Sequence, residues 1–203
     1  MAGLSDDRDG GGQPRLWVVR HGQTTWSEAG RHTGWTDVPL TDIGRAQARS
    51  IGPRLAGVAF AAVVSSPLGR AYETARLAGF GGRVTTDDDL REWNYGADEG
   101  RTTAEIRADR PAWSIWRDGV LDGETIEEVA ARADRVIERA RGRKGDTLCF
   151  AHGHVLRILG ARWIGLPAVE GSRFALTTAT ISILGWERET PVIERWNDGL
   201  DLG

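Results

Sequence analysis

Cysteine and lysine are almost absent from this chain of 203 residues, which has one of each, Cys149 and Lys144. A single cysteine excludes an internal disulfide, and a reducing compartment is the simplest setting for such a chain. Because nearly all the basic residues are arginine, a bias typical of genome composition, an isolated arginine says little about function.

Long apolar runs are also missing. No segment approaches the roughly 18 apolar residues of a membrane span, and the amino terminus lacks the basic-then-apolar order of a signal peptide. The formal net charge of -3 and the pI of about 5.8 give no field that would attract nucleic acid or an anionic membrane. We therefore predict a cytoplasmic protein that binds neither, and in which local cations hold any anionic ligand.

The remaining composition is that of an ordinary globular protein, with 40% hydrophobic and 27% charged residues. Residues 1–14 contain too little apolar surface to pack and are predicted to be a disordered tail, whereas residues 15–203 are long enough for a single domain with one core. The chain contains nine tryptophans. Packing in the core or a lid is the commoner role of this residue, although a flat ring can also face a sugar.

Strand-like and helix-like segments alternate along the chain. Buried strands are predicted at 16–19, 61–64, 83–86 and 147–151, and a terminal hairpin at 179–186 and 191–196. Helices are predicted after the caps Thr41, Ser66 and Thr125, and over 153–163. Pro53 should kink or end the first of them, and Pro67 should begin the second, which is expected to run to Leu77. This alternation predicts an α/β fold, a three-layer α/β/α sandwich around a mostly parallel sheet with an antiparallel edge strand.

The segment from Leu90 to about Gly123 departs from this alternation. We expect a loop with short helices at 103–109 and 111–118. Excursions of this length usually carry function.

Two of the predicted strands deliver a histidine at their carboxyl ends. Arg20-His21-Gly22 follows the first strand, and His152-Gly153 follows the strand at 147–151. Open α/β sheets bind their ligands at this edge. The pattern indicates an anion pocket in which one histidine is a nucleophile and the other a charge stabiliser, but the residues alone do not say which one attacks.

The same residues suit phosphoryl transfer. A phosphomonoester is close to dianionic at neutral pH, and its transition state spreads charge over three oxygens, so catalysis depends mainly on fixed donors. Arg20 and Arg70 can each donate to two oxygens, and a protonated His152 would add a third cation. The attacking histidine must have one unprotonated ring nitrogen.

Four ordered segments of the chain resemble the motifs of the histidine phosphatase superfamily, which includes the cofactor-dependent phosphoglycerate mutases. They comprise residues 19–26 with 33–41, residues 65–75, residues 90–96 with Glu99-Gly100, and residues 151–154. The resemblance covers the chain from Leu16 to about Arg157.

The resemblance implies a phosphoglycerate mutase-like fold and assigns roles to the motif residues. His21 would accept the phosphoryl group, Arg20, Arg70 and His152 would stabilise it, and Glu92 would protonate the leaving alkoxide. Further contacts to phosphate or substrate are expected from Gln23, Ser27, Thr33, Gly34, Gly153 and His154. The substrate would be a small-molecule phosphomonoester, with no cofactor and no metal, and homo-oligomerisation is left open.

The sequence leaves two roles open for Glu92, a proton donor in catalysis or a partner in a surface salt bridge. Beside a bound dianion the pKa of this carboxyl should rise, so that it can donate a proton and later accept one from the attacking water. The alternative is a surface salt bridge with Arg91.

Departures from the mutase pattern favour hydrolysis. The chain lacks the Tyr- and Pro-rich insertion of the mutases, has Trp93-Asn94 where they usually carry Arg-His, and has His154 where they usually carry Asn. Residues 113–119 and 123–125 resemble the branch containing sugar-bisphosphate phosphatases and small bacterial acid phosphatases. We predict a phosphatase of small phosphorylated metabolites, most readily sugar phosphates. The alternatives are a phosphoglycerate mutase and a non-catalytic phosphate- or partner-binding relative, the latter disfavoured because the five catalytic motif residues are all present.

Other sites are weaker. His152 and His154 with residues 87–89 could suggest a metal, but adjacent aspartates cannot all point one way. No Gly-x-Ser-x-Gly elbow or Walker loop occurs. Additional candidates for a second phosphate or a sugar hydroxyl are His32, Arg117 and Arg173.

Overall fold

The computed structural model describes residues 12–199, in which six strands form one sheet in the order β3-β2-β4-β1-β5-β6. The strands are β1 (Leu16–Arg20), β2 (Ala62–Ser65), β3 (Val84–Thr86), β4 (Thr147–Ala151), β5 (Ile181–Glu187) and β6 (Thr190–Asp198). The first four are parallel, whereas β5 is antiparallel to β1 and β6 to β5. The predicted fold class is therefore confirmed, and the antiparallel pairings belong to the terminal hairpin.

Seven α-helices connect or follow these strands within the same residues. They are α1 (Thr25–Glu28), α2 (Asp42–Arg54), α3 (Gly69–Ala75), α4 (Thr103–Asp109), α5 (Ile115–Asp118), α6 (Ile126–Arg141) and α7 (Gly153–Trp163). A π-helical turn at Arg76–Phe80 continues α3. No helix among residues 12–199 has the length and apolar character needed to cross a bilayer.

The two faces of the sheet carry separate cores because side chains alternate along each strand. In β1, Leu16 and Val18 pack with residues of α6 and α7, whereas Trp17 and Val19 pack with residues of α2. The result is the expected arrangement of helices on both sides of the sheet.

The helix caps follow local sequence in two places. Thr41 accepts a hydrogen bond from the Gly44 amide at the start of α2, and Thr125 forms a reciprocal capping box with Glu128 at the start of α6. Pro53 lies in the last turn of α2, which ends one residue later.

The predicted start of α3 is wrong. The helix begins at Gly69 rather than after Ser66, and its N-cap residue, Leu68, provides no side-chain hydrogen bond. The Ser66 hydroxyl instead lies 2.8 Å from the Nε2 atom of His152. In the excursion after Leu90, α5 likewise begins four residues later than predicted.

The predicted tail falls largely on residues 1–11, which lie outside the described residues. Within residues 12–14, the Pro14 carbonyl accepts a hydrogen bond from Trp186 Nε1 at 2.9 Å. The domain boundary at residue 15 stays a prediction.

Candidate active site

Two adjacent parallel strands place the two histidines together. β1 and β4 pair in a register that aligns Arg20 with Ala151, so the residues that follow, His21 and His152, leave the sheet side by side. The His21 amide also donates to the Ala151 carbonyl at 3.0 Å. The two ring centroids are 5.1 Å apart.

His21 has a defined tautomer. Its Nδ1 atom lies 2.7 Å from the Gly22 carbonyl oxygen, and a carbonyl only accepts, so Nδ1 carries the proton and Nε2 is left with a lone pair. Burial, followed by the charges of Arg70 and Arg20, lowers the pKa of His21 well below its usual value. The ring is therefore neutral, as a nucleophile requires.

His152 is completely buried. Its Nε2 atom contacts the Ser66 hydroxyl, and its Nδ1 atom is buried without a hydrogen-bond partner among residues 12–199. Burial and the charge of Arg70 lower the pKa of His152 well below its usual value. The protein environment alone therefore favours neutral His152, not the charged stabiliser expected from the sequence.

Ser66 is a site residue that sequence reasoning missed. Its oxygen accepts a hydrogen bond from the Leu68 amide at 3.3 Å, which leaves its own proton available for His152 Nε2. If the hydroxyl donates, Nδ1 of His152 carries the ring proton and is the unpartnered donor. The useful signal in the sequence was the position of Ser66 one residue beyond β2, which pairs with β4.

Of the two predicted phosphate-binding arginines, Arg70 is fully buried and Arg20 is half-buried. Arg20 donates through Nη1 to the Leu176 carbonyl, and its Nε is buried with no partner. Arg70 donates to three carbonyls, and its Nε is likewise unpartnered; the carbonyls are those of Thr33, Gly34 and Thr36. Neither arginine forms a salt bridge with another described residue. Burial lowers the pKa of both guanidinium groups from their ordinary values.

The Glu92 carboxylate is held by main-chain donors. Its Oε1 atom accepts from the amides of Trp93 at 3.0 Å and Val155 at 2.9 Å. Its Oε2 atom accepts from the amide of His154 at 3.0 Å. Two of these donors belong to the first turn of α7, where the helix dipole favours a negative charge.

The alternative salt bridge between Glu92 and Arg91 is not formed. Arg91 pairs with Asp88 at 2.8 Å, and the segment that leads from the 3-10 turn Asp88–Leu90 to Glu92 is held by Arg132 of α6. Arg132 donates to the carbonyl of Arg91 and forms a salt bridge with Glu124 at 2.8 Å. The sequence analysis did not predict these contacts of Arg132, because an arginine in a helix and a glutamate eight residues earlier in a loop form no recognisable motif.

These elements surround a cavity of about 180 Å³. Among the predicted site residues, those on its wall are Arg20, His21, Ser27, Thr33, Glu92, Gly153 and His154. Other residues on the wall include His32, Arg31, Tyr95 and Arg157. Arg70 and His152, both 0% exposed, lie behind the lining residues.

Gln23 and Gly34 are not among the lining residues, contrary to the prediction. The Gln23 side-chain oxygen accepts from the Thr41 hydroxyl at 2.7 Å. The Gly34 amide donates to Glu99 at 2.9 Å, and a Cβ at this position would lie 2.6 Å from the Trp93 carbonyl oxygen. Gly34 therefore positions the loop whose carbonyls, its own included, accept from Arg70, and its contact with substrate stays a prediction.

Ser27 reaches the cavity but its hydroxyl is already engaged. It donates to the Thr24 carbonyl and accepts from the Thr24 amide, within the capping box of α1. Only its remaining lone pair is available to a ligand.

The additional arginine candidates point elsewhere. Arg117 pairs with Asp118 at 2.7 Å, and Arg173 pairs with Glu170 while remaining 76% exposed. Neither is on the cavity wall.

The hypothetical metal site is not assembled either. Asp87 and Asp89 form salt bridges with the arginines of α6, Arg135 and Arg139. Residues 12–199 contain no group of three or more His, Cys, Asp or Glu side chains arranged to hold a metal ion.

Fold and site together define a class. An α/β sheet carries, at the carboxyl ends of β1 and β4, two buried neutral histidines beside two arginines that lack carboxylates. Such a site suits an oxyanion that supplies the missing negative charge, and it suits transfer of a phosphoryl group.

Comparison with known families agrees with this class. The model of the histidine phosphatase superfamily (branch 1) matches residues 16–199, and the chain belongs to this superfamily. An acid phosphatase of Mycobacterium tuberculosis is 44% identical over 177 residues, covering 85% of this chain and 87% of the relative. Sedoheptulose 1,7-bisphosphatase of Saccharomyces cerevisiae is 39% identical over 192 residues, covering 75% and 68%.

A solved structure shares the fold at similar length. Mycobacterial glucosyl-3-phosphoglycerate phosphatase, solved with VO3, superposes with a TM-score of 0.81 at 31% identity, covering 92% of this chain and 100% of that one. More distant relatives include a Proteus mirabilis protein named as a phosphoglycerate mutase, 31% identical over 90% of this chain and 89% of its own. Phosphatases therefore stand among the relatives of highest identity, and the chain is a phosphatase of this superfamily.

Proposed function

We propose that the protein hydrolyses small phosphorylated metabolites, foremost sugar phosphates, through a phosphohistidine on His21. One observation carries the proposal. Three buried N–H or ring-nitrogen sites without a partner belong to residues around this nucleophile: Arg20 Nε, Arg70 Nε and His152 Nδ1. Buried donors are rarely left unsatisfied, so their grouping here is best explained by a phosphate that accepts from them.

In the first step the Nε2 lone pair of His21 attacks phosphorus. The P–N bond forms, the P–O bond to the alcohol breaks, and the leaving oxygen takes a proton from Glu92. The Nδ1–H bond to the Gly22 carbonyl orients the ring and stabilises the positive charge that the imidazole gains. Arg20 and Arg70 stabilise the charge on the equatorial oxygens.

In the second step water attacks the phosphohistidine. Glu92, now ionised, removes a proton from the water, the P–N bond breaks, and its electron pair returns to Nε2 as phosphate leaves. Oε1 of Glu92 already accepts two hydrogen bonds whereas Oε2 accepts one, so Oε2 has the free capacity to hold the transferred proton.

The electrostatics favour activity in mildly acidic solution. The lowered pKa of His21 keeps its lone pair available below the pH at which a free histidine is half protonated. His152, neutral in the protein alone, can gain a proton when a dianion offsets the repulsion from Arg70. A relative named acid phosphatase is consistent with this behaviour.

The decisive experiment replaces the nucleophile. His21→Ala should lower kcat/KM for a chromogenic phosphomonoester and for a sugar phosphate by at least about 10³-fold, because no other side chain can form the covalent intermediate. Rapid acid-free quenching of the wild-type enzyme with radiolabelled substrate should trap a labelled chain, and the variant should not be labelled. Thermal unfolding shows whether the variant is folded.

Three results would overturn the proposal. Turnover retained in a folded His21→Ala variant would remove the nucleophile assignment. Efficient interconversion of 2- and 3-phosphoglycerate, with little release of inorganic phosphate, would make the enzyme a mutase. Absence of turnover in the wild-type protein across a panel of phosphorylated metabolites, with phosphate binding retained, would favour the non-catalytic alternative.

A further inference from the structure

Tyr95 and His154, on the wall of the same cavity, form a hydrogen-bonded pair. Tyr95 is 1% exposed, and its hydroxyl lies 2.7 Å from the Nδ1 atom of His154. Among residues 12–199 the hydroxyl has no second hydrogen-bond partner. Burial, with a smaller contribution from the charge of Glu92, raises the pKa of Tyr95 well above its usual value, so the hydroxyl keeps its proton.

This contact determines which nitrogen of His154 carries hydrogen. A buried hydroxyl proton needs an acceptor, and Nδ1 of His154 is the one available within the described chain. Tyr95 therefore donates to Nδ1, and the ring proton of neutral His154 is on Nε2. Burial and the charge of Arg157 lower the pKa of His154 well below its usual value, which keeps the ring neutral.

The ring is also fixed in orientation. Its centroid lies 5.1 Å from that of Trp116 and 6.2 Å from that of Trp93, and its own amide is bound to Glu92 Oε2. His154 lines the cavity, and its Nε2 atom makes no hydrogen bond within residues 12–199. The neutral N–H donor therefore belongs to a residue that lines the same cavity as Glu92 and whose main-chain amide binds that carboxylate.

We propose that the Tyr95–His154 pair determines specificity by donating one hydrogen bond, from Nε2 of His154, to a hydroxyl oxygen of the leaving alcohol. The inference rests on the proposed function and narrows its substrate class to phosphate esters of polyhydroxylated alcohols. A hydroxyl near the ester satisfies the donor, whereas a simple alkyl group leaves it without an acceptor.

The test uses two substrates that differ in hydroxyl groups alone, glycerol 1-phosphate and propyl phosphate. The measured quantity is the ratio of their kcat/KM values. Because one neutral hydrogen bond is at stake, His154→Phe should lower this ratio about 3- to 10-fold. Tyr95→Phe should lower it in the same direction, because the tautomer of His154 is no longer fixed.

A conservative variant separates recognition from packing. The amide nitrogen of His154→Gln can replace the Nε2–H donor, so this variant should recover a larger ratio than His154→Phe. If His154→Phe leaves the ratio unchanged, the inference is overturned, even if kcat/KM falls for both substrates. That result would mean that His154 acts by positioning Glu92. Turnover of a chromogenic phosphomonoester and its loss in His21→Ala test the proposed function separately. If the wild-type protein cleaves that ester but does not prefer glycerol 1-phosphate to propyl phosphate, this inference alone fails.

Discussion

The two ends of strand β1 differ in how an arginine side chain is paired with carboxylates. At the amino end, Arg15 forms a salt bridge of 3.0 Å with Asp146, and the side chains are 10% and 2% exposed. Trp17 Nε1 donates to the same carboxylate at 2.9 Å. At the carboxyl end, Arg20 is half-buried and Arg70 is fully buried. Neither forms a salt bridge within residues 12–199, although the charge of Glu92 acts on both.

The difference shows where the fold is stabilised and where it is prepared for a ligand. A buried charge without a partner is costly, and a paired one much less so. Arg20 and Arg70 have the charge of Glu92 nearby but no salt bridge within residues 12–199, so their cationic groups remain able to bind an added anion. The carboxyl end is therefore arranged for binding at the expense of stability, as is usual for functional sites.

The largest effect is expected from Arg20→Met. Removing this cation should lower kcat/KM about 10²- to 10³-fold, because a preorganised donor to the transferred phosphoryl group is lost. The melting temperature should change little, since Arg20 is half-buried and forms no salt bridge within residues 12–199. Steady-state kinetics and thermal unfolding of one preparation measure both. A clear loss of stability together with activity would show that Arg20 is primarily structural.

The opposite end should respond the other way. Asp146→Ala removes the buried carboxylate that pairs with Arg15 and accepts from Trp17 Nε1, and leaves Arg15 its longer contact of 3.6 Å with the more exposed Glu194. The free energy of unfolding should fall by about 3 kcal/mol or more, whereas kcat/KM of the folded fraction should change little, because Asp146 lies at the far end of the strand. Chemical denaturation and kinetics at a temperature where the variant is folded test this. A drop in kcat/KM comparable to that of Arg20→Met would remove the distinction between the ends.

Features that depend on consecutive residues could be predicted from the sequence, whereas contacts between distant residues could not. The apolar run of β1 and the Arg20-His21 junction at its carboxyl end are encoded in consecutive residues, so both follow from the sequence. The residues alone predict neither the division into two cores nor which histidine attacks. The Ser66-Pro67 pair carries the same local signal as a helix cap, yet the approach of His152 across β2 and β4 takes up the hydroxyl. A local pattern cannot reveal a competing partner that is 86 residues away.

Charge states were the other property that sequence did not provide. The motif resemblance predicted a cationic His152, but burial and the nearby Arg70 favour the neutral ring. Gln23 and Gly34 matched substrate-binding positions, yet their polar groups are used within the protein by Thr41 and Glu99. Both corrections depend on distances and on solvent exclusion, which exist only once the chain is folded.

The smallest predicted effect is the dependence of the free energy of unfolding on pH in mildly acidic solution. The lowered pKa values mean that His21 and His152 stay neutral in the folded protein while the unfolded chain binds protons below about pH 6.5. Because the unfolded state then holds more protons, the free energy of unfolding should fall as pH falls, by up to about 1.4 kcal/mol per pH unit for each histidine.

His152→Gln isolates one of these contributions. In chemical denaturation between pH 7 and 5.5, the variant should show a shallower loss of stability than the wild-type protein, with the difference approaching about 1.4 kcal/mol per pH unit at the acidic end. Parallel pH profiles would mean that His152 is protonated in the folded state without a ligand. Saturating inorganic phosphate should reduce the wild-type loss, because a bound anion offsets the charge of Arg20 and Arg70 and allows His152 to take up a proton without destabilising the fold.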